Sequence, residues 1–259
     1  MKSDVFKKLG FIFMITYNPA LKIFTPSLIN DTDYFSGFST KDLGDSKNPK
    51  NISNFLNLSL VEFKKIILLD QIHSLNIHLL EKDIPGVETE TIEDTDGVIT
   101  NLGQTVLVVR TADCLPLIIV DKTTGFIGIS HQGWRGSLKN MAGKMVKTLQ
   151  NSGSKLHNLI CVLGPGIGAC CYDVDQDRYF SFLQEYDGYS QKIFSRRGNR
   201  WHLNLALLNY LQLLNAGVKT EKVDFFPFCS KCDKKRFFSR RRNKKTGQEL
   251  MFNFVMKSR

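Results

Sequence analysis

The chain has 259 residues, of which 42% are hydrophobic and 23% charged. This balance excludes an intrinsically disordered protein and supplies enough apolar surface for a core without disulfide bonds. No apolar stretch approaches the roughly 20 residues that a membrane-spanning helix needs, and much of the net charge of +10 falls in residues 231–245. We interpret that basic run as a solvated surface rather than a nucleic-acid interface.

The cysteines and the N-terminal residues together predict a cytoplasmic protein. The apolar run at 9–15 is too short for a signal peptide, no small-residue cleavage site follows it, and Met14 is a candidate translation start. An evenly spaced disulfide framework is absent from the cysteine pattern, so we expect free thiols in a reducing compartment. The six cysteines are Cys114, Cys161, Cys170, Cys171, Cys229 and Cys232.

The first third of the chain predicts a loop, a short helix and a strand. The polar stretch at 40–53 is typical of a surface loop. Ser59 and Glu62 have the spacing of a capping box, which predicts a helix that opens at Ser59. The apolar run at 66–69 predicts a strand that leads into His73.

The centre of the chain predicts a β-hairpin followed by a helix. Apolar runs rich in β-branched residues predict strands at 106–109, 117–120 and 126–129. The last two are too close in sequence for a helical crossover, so they must pair antiparallel. Apolar residues then recur at helical spacing from Leu138 to Leu149, and Gly153 ends that pattern.

The last third predicts a strand at 159–163, a helix at 203–214 that ends at Gly217, and a strand at 223–226. Strands and helices therefore mix along the whole chain. This order favours an α/β (α+β) fold, a mixed β-sheet sandwich flanked by helices, over a purely parallel sheet. We divide the chain into an N-terminal extension with the first strand region, 1–30, and a single catalytic domain, 31–259.

Three short segments carry the residues suited to chemistry. They are Gln-Ile-His-Ser at 71–74, Thr-Ala-Asp-Cys-Leu-Pro at 111–116 and Ser-His-Gln-Gly-Trp-Arg-Gly at 130–136. Each places a metal-binding side chain where a predicted strand begins or ends. Two imidazoles and a thiolate suit zinc or copper, and three protein ligands leave a fourth position for water or substrate.

Spacing alone makes this a weak signal. The segments lie far apart in sequence, and no local His-x-x-x-His or Cys-x-x-Cys motif unites them. Taken in isolation, Cys114 is more often a small core residue than a metal ligand.

Together the motifs resemble the YfiH-type family, whose members are variously called laccase-domain proteins, polyphenol oxidases or multifunctional purine nucleoside phosphorylases. Besides the three segments, the resemblance rests on Gly-Pro-Gly-Ile-Gly at 164–168, Cys171-Tyr172, and Phe-Phe-Ser at 237–239 with Arg241. It spans residues 35–255. It implies a single α/β domain with zinc, or alternatively copper, bound by His73, Cys114 and His131.

The resemblance also implies a function. We expect a purine nucleoside phosphorylase that acts on adenosine and inosine, extends to S-methyl-5'-thioadenosine, and deaminates adenosine. His73, Cys114, His131 and Asp113 are the predicted catalytic residues, with Asp113 as a proton carrier or as a residue that orients a ligand. Arg135, Gly166 and Arg241 are predicted to bind substrate: arginines and backbone N–H groups hold anions such as phosphate.

The expected partners are a purine nucleoside and phosphate, without nucleic acid or membrane, and the expected assembly is a monomer or a homodimer. Two segments depart from the family pattern. Gly-Phe-Ser-Thr-Lys at 37–41 stands where the family has an Arg-x-Gly-Gly type stretch, and Thr-Gly-Gln at 246–248 replaces a common Thr-Gly-Arg. Cys229 and Cys232 form a single Cys-x-x-Cys, which we interpret as two incidental thiols, because a zinc half-site or a redox pair would need partners that the sequence does not show.

Other functions remain open at this point. A laccase-like copper polyphenol oxidase would need several copper centres, yet the chain has five histidines in all. A metal-free hydrolase would use Cys114 as nucleophile and His131 as base. A nucleic-acid-binding module would explain the charge but lacks a recognisable motif.

Overall fold

The computed structural model describes residues 14–82, 88–243 and 249–259. Within these ranges the strands, numbered in chain order, are β1 (Ile15–Asn18), β2 (Ile23–Pro26), β3 (Tyr34–Ser39), β4 (Lys65–Leu69), β5 (Ile77–Leu80), β6 (Thr89–Ile92), β7 (Gly97–Thr100), β8 (Thr105–Thr111), β9 (Leu115–Asp121), β10 (Phe126–Gln132), β11 (Leu159–Leu163), β12 (Asp173–Val174), β13 (Phe194–Arg197), β14 (Arg200–Leu203), β15 (Val223–Phe225) and β16 (Met251–Lys257). The α-helices of the same ranges are α1 (Pro49–Leu58), α2 (Trp134–Leu138), α3 (Met141–Asn151), α4 (Gln176–Glu185), α5 (Ser190–Ile193) and α6 (Leu205–Asn215).

These strands form two large mixed sheets and a small one. The seven-stranded sheet has the order β1-β2-β3-β16-β8-β4-β6, and the six-stranded sheet has the order β15-β11-β9-β10-β7-β5. The pairs β4–β6, β4–β8, β5–β7 and β11–β15 are parallel, and the other pairs are antiparallel. The third sheet has three strands, in the order β12-β14-β13, and none of them pairs with a strand of the two large sheets.

The two large sheets pack face to face. Leu107 and Val109 of β8 share one buried cluster with Ile118 and Val120 of β9, and this cluster fills the space between the sheets. Successive strand residues point to opposite faces. Val106 and Val108 therefore face the other side, where they pack with residues of α1. This double burial explains why β8 reads as an uninterrupted apolar run.

Helices cover the outer face of the six-stranded sheet as well. Met145 and Leu149 of α3 and Leu208 of α6 pack against Leu117 and Ile119 of β9. The layers therefore run α1, seven-stranded sheet, six-stranded sheet, α3 with α6. The prediction of a mixed-sheet sandwich flanked by helices is confirmed, and β9 and β10 pair antiparallel as expected.

Local sequence rules misplaced two helices. The predicted loop at 40–53 contains the start of α1, where the Asn48 side chain accepts a hydrogen bond from the Lys50 N–H and Pro49 takes the first helical position. Ser59 ends α1 as its C-cap, so the helix predicted to open there is wrong. The helical pattern from Leu138 to Leu149 is split between α2 and α3, because Asn140 adopts a left-handed φ of 59°.

Several predictions fall near the edges of the described ranges. Most of the apolar run at 9–15, and the Thr-Gly-Gln segment at 246–248, lie outside the described residues. The domain boundary at 30/31 stays a prediction, although β2 pairs with β3 across it. In the part of the chain that the structure covers, no helix combines the length and apolar character that crossing a bilayer requires.

Candidate metal centre

His73, Cys114 and His131 meet at one end of the sandwich. His73 follows β4, Cys114 lies between β8 and β9, and His131 is the second-to-last residue of β10, just before the chain enters α2. The register of the β9–β10 hairpin pairs His131 with Pro116, which brings the preceding Cys114 alongside. One ligand atom from each of the three residues lies within 4.8 Å of the others. The grouping predicted from the sequence is therefore present.

The imidazole rings of His73 and His131 lie close together, with the backbone of Gly133 beside both. Their ring centroids are 4.7 Å apart and the ring planes are nearly perpendicular, at 86°. His73 adopts a left-handed φ of 64°, a conformation uncommon for a residue other than glycine. A Cβ added to Gly133 would lie 2.8 Å from His73 Cδ2 and 3.2 Å from His131 Cε1. The site therefore requires a residue without a side chain at position 133.

Asp96, which is fully buried, organises both histidines. Its carboxylate accepts hydrogen bonds from the backbone N–H of Ile72, His73 and Ser74, at 3.2, 3.1 and 2.6 Å. It also accepts from the Ser74 hydroxyl at 2.8 Å and faces His131 Nδ1 at 2.8 Å. Burial opposes ionisation, but the bonds from His131 and Ser74 outweigh it and lower the Asp96 pKa. An ionised Asp96 therefore holds the Nδ1 proton and leaves His131 Nε2 free to bind a metal.

The partly buried Cys114 thiol and the buried His131 imidazole form a charge pair when no metal is bound. Burial alone would raise the pKa of Cys114, but the neighbouring His131 and His73 outweigh it and lower that pKa to about 6. Burial would likewise lower the pKa of His131, but Cys114 and Asp96 raise it to about 9. Cys114 is thus poised as a thiolate, the form that binds metal ions.

Asp113 anchors the C-terminal loops beside the centre. Its side chain accepts hydrogen bonds from the hydroxyls of Ser230 and Ser239, at 2.7 and 2.9 Å, and from the backbone N–H of Arg241 at 2.7 Å. Both carboxylate oxygens are thereby occupied as acceptors. These bonds hold the loops that carry Ser230, Ser239 and Arg241. The two predicted roles of Asp113, to orient a ligand or to carry a proton, stay predictions.

A cleft of about 530 Å³ opens beside His73 and Cys114. Four arginines line it, namely Arg135, Arg178, Arg240 and Arg241. Asp113 is the acidic residue among the lining side chains, and it is already engaged by its three donors. Ile167, Tyr172, Trp134 and Leu205 supply apolar and aromatic surface. The cleft is therefore suited to a ligand that joins an anionic group to a planar or apolar one.

The predicted arginines lie in this cleft, but Gly166 does not line it. The Arg135 guanidinium lies 4.8 Å from the Trp134 ring centroid, and Arg241 donates to Asp173 at 2.8 Å. A Cβ on Gly166 would come 2.4 Å from Leu115 Cδ2, so this buried glycine serves packing behind the cleft.

The glycine loop is also a poor anion cradle. The N–H groups of Gly164 and Ile167 already donate to the carbonyls of Pro116 and Asp113, so these two cannot bind an anion. Substrate binding by Gly166 itself stays a prediction without support from the geometry.

Two residues of the candidate site could not be identified from the sequence. Asp96 stands in Asp-Thr-Asp-Gly at 94–97, which reads as a turn, and its role depends on the pairing of β7 with β10 that places it opposite His131. Arg178 lies on α4, outside every motif, with its guanidinium 4.3 Å from the Trp134 ring centroid. Neither position carries a local pattern that could have identified it.

The donor set fits a transition metal. A thiolate and two imidazoles, with one imidazole oriented by a buried carboxylate, are the ligands and the supporting contact expected around zinc or copper. Among the described residues this is the one group with histidines that could hold an ion; a second group consists of cysteines alone.

Comparison with known proteins places the chain in a family. The family described as "Multi-copper polyphenol oxidoreductase laccase" matches residues 36–256. The chain is 26% identical to purine nucleoside phosphorylase YlmD of Bacillus subtilis, over 92% of this chain and 98% of the relative. It is also 26% identical to adenosine deaminase RL5 from an unknown prokaryotic organism, over 70% of this chain and 71% of the relative.

Solved structures agree on the fold. The crystal structure of Bacillus licheniformis hypothetical protein YfiH superposes with a TM-score of 0.82 and covers 93% of this chain and 98% of its own, at 23% identity. At that identity the likeness establishes the fold alone, whereas the family match covers most of the sequence. The chain therefore belongs to the multi-copper polyphenol oxidoreductase laccase family, a family of enzymes.

Proposed function

We propose that this protein is a purine nucleoside phosphorylase that acts on adenosine and inosine, extends to S-methyl-5'-thioadenosine, and also deaminates adenosine. The proposal rests on one observation: the His73–Cys114–His131 group lies beside a cleft that is lined by four arginines. The names of the relatives from Bacillus subtilis and from the unknown prokaryote point to the same two reactions.

His73, Cys114 and His131 would hold the metal, which we propose to be zinc, with copper as the alternative. When bound, the metal would supply a Lewis acid that polarises the base or the phosphate and, for deamination, lowers the pKa of a bound water toward about 7. Asp96 orients His131, and Asp113 holds the loops that carry Arg240 and Arg241 against the cleft.

The arginines would bind phosphate. In phosphorolysis a phosphate oxygen forms a bond to C1' of the ribose as the bond from C1' to the purine nitrogen breaks, and the bonding pair leaves with the purine. Positive charge develops on the ribose during this step, and a phosphate dianion held nearby both stabilises that charge and attacks it. Arg135 and Arg241 offer the charge-assisted hydrogen bonds that such a dianion needs, and Arg178 and Arg240 add to the positive potential.

The apolar part of the cleft would receive the nucleoside. Trp134 and Tyr172 offer aromatic surface beside the metal ligands, and Ile167 and Leu205 extend it. A purine has a planar face that packs on such surface. The same cleft then holds the base near the metal ligands and the phosphate near the guanidinium groups.

Incubation of inosine and adenosine with and without phosphate tests the proposal. We expect free base and ribose 1-phosphate only when phosphate is present, and ammonia from adenosine. Base released at the same rate without phosphate would mean a hydrolase instead. Ammonia without base release would leave deamination as the activity.

A metal-free thiol hydrolase is the second candidate, because the Cys114 pKa of about 6 resembles that of an activated nucleophile. Metal analysis separates the two. Full activity of metal-depleted protein would favour the hydrolase, whereas Cys114→Ser should lose both metal and activity in the phosphorylase.

Polyphenol oxidation by a laccase-type mechanism is less well supported, because it needs several copper centres. Within the residues that the structure describes, a single group with histidines could hold an ion. We further propose that the enzyme works in the cytoplasm, as a monomer or homodimer, on small molecules rather than on nucleic acid.

A further inference from the structure

Four cysteines that the proposed function does not use lie together in the structure. Cys170 and Cys171 follow β11, and Cys229 and Cys232 follow β15. These two strands are parallel neighbours, so their carboxyl ends reach the same edge of the six-stranded sheet. The four sulfur atoms all lie within 4.8 Å of one another. The cluster shares no residue with the His73–Cys114–His131 group.

The sulfur spacing is that of ligands around one ion. Cys171 Sγ lies 3.4 Å and Cys170 Sγ 3.6 Å from Cys232 Sγ. A disulfide would require about 2.05 Å. Four thiolates at the usual zinc–sulfur distance of about 2.3 Å are separated by about 3.8 Å along each edge of the tetrahedron. The observed separations lie close to this value and far from a covalent bond.

Glycine at position 168 leaves room for the cluster. A Cβ on Gly168 would lie 3.1 Å from Cys229 Cβ and 3.4 Å from Cys170 Sγ, so glycine there permits the sulfurs to approach.

Positive charge also lies nearby. Arg197 donates to the Cys170 carbonyl at 3.3 Å, and Lys231 lies between the two cysteines of the Cys-x-x-Cys. Four thiolates around a divalent ion carry a net negative charge, which these cations offset.

We propose that Cys170, Cys171, Cys229 and Cys232 bind one zinc ion in a tetrahedral four-thiolate site. All four positions are filled by protein ligands, which is the mark of a structural site rather than a catalytic one. The ion joins two loops that form the wall of the cleft. Tyr172, which lines the cleft, follows Cys171, and Ser230, which donates to Asp113, follows Cys229.

Metal counting in variants tests this site separately from the proposed active site. The protein is purified under reducing conditions in zinc-supplemented medium, and its metals are identified by elemental analysis. The variants are Cys114→Ser, which disables the histidine-containing group, and the double variant Cys171→Ser with Cys232→Ser, which removes two partly exposed ligands of the cluster. Cys161→Ala is the matched control, because Cys161 is a buried strand residue outside both groups.

We expect two zinc ions in the wild type and in Cys161→Ala, one in Cys114→Ser, one in the double variant and none in the combined triple variant. Cobalt-loaded Cys114→Ser should show the intense thiolate-to-cobalt charge-transfer bands of a four-thiolate site. A wild type with one ion that Cys114→Ser retains would still support the cluster and contradict the histidine site.

Three results would overturn the proposal. The first is a Cys114→Ser protein without metal. The second is iron in place of zinc. The third is an intact mass of native protein that is lower by two hydrogens because a disulfide joins two of the four cysteines. Because the Cys114→Ser count needs no change in the cluster, a double variant that fails to fold leaves the test decisive.

Discussion

Adding one methyl group at Gly133 should weaken metal binding without disturbing the fold. Gly133 has a φ of −72°, which alanine adopts without strain. The new Cβ would nevertheless lie 2.8 Å from His73 Cδ2, whereas carbon atoms in contact are normally about 3.5–4.0 Å apart. The His73 ring must therefore retreat by about 0.7 Å or more.

That displacement is larger than a metal site tolerates, because metal–ligand distances stay within about 0.2 Å of their usual values. We expect Gly133→Ala to lose metal affinity by about 10- to 100-fold, the loss typical of misoriented ligands. The assay is competition for zinc with a chromophoric chelator, and turnover should fall in parallel at limiting zinc. The four-cysteine site is removed from the comparison by use of the Cys171→Ser, Cys232→Ser background.

Gly136→Ala is the matched control from the same segment. Its Cβ would meet Met141 Cβ at 3.4 Å and the Ser74 carbonyl oxygen at 3.5 Å, distances of ordinary contact. This variant should bind zinc as the parent does. Unchanged zinc affinity in Gly133→Ala would refute the claim that close packing at position 133 sets the position of His73.

Three further changes test the contacts around the centre. Asp96→Asn removes the charged acceptor of the His131 Nδ1–H group and should lower zinc affinity by about 10- to 100-fold in the same competition assay. A zinc affinity equal to that of the wild type would contradict the orienting role of Asp96. Asp113→Asn weakens a buried acceptor of three hydrogen bonds and should lower the free energy of unfolding, measured in urea, by about 1–3 kcal/mol. An unchanged urea midpoint of unfolding would argue against Asp113 as the anchor of the C-terminal loops. Arg135→Ala should raise the KM for phosphate by about 10- to 100-fold, the loss expected when one charge-assisted hydrogen bond is removed, and should raise the KM for nucleoside much less. The control Lys139→Ala, which removes an exposed charge outside the cleft, should leave both KM values unchanged. Equal effects of the two variants would point to general charge attraction.

The sequence predicted the centre of the fold well because its strands are buried on both faces. Runs such as 117–120 are continuous and β-branched, and the short turn at 123–125 leaves antiparallel pairing as the available geometry. The polar start of α1 was misread because Asn48 and Pro49, which cap and open the helix, are also turn residues. Burial of Ile52 and Leu56, which stabilises α1, depends on the sheet beneath it.

The residues of the candidate site also fall into two groups, those that a sequence motif identifies and those that only the pairing of distant strands brings into place. His73, Cys114 and His131 stand in recognisable motifs, so the resemblance to a family could group them. Asp96 acts through strand register, which no local pattern encodes. Likewise, the Cys-x-x-Cys at 229–232 appeared to lack partner ligands, because Cys170 and Cys171 reach it only through the parallel pairing of β11 with β15.

The position of β16 has a consequence for how the molecule is made. β16 lies inside the seven-stranded sheet, hydrogen-bonded to β3 on one side and to β8 on the other, yet it follows every other described strand in the chain. During synthesis, β1 to β3 cannot join the rest of their sheet until β16 has left the ribosome. Pairing across more than 200 residues of sequence is also slow, because a long loop must close before any contact rewards it. A chain that stops short of β16 is therefore a split sheet with two exposed edges, a natural target for chaperones and proteases.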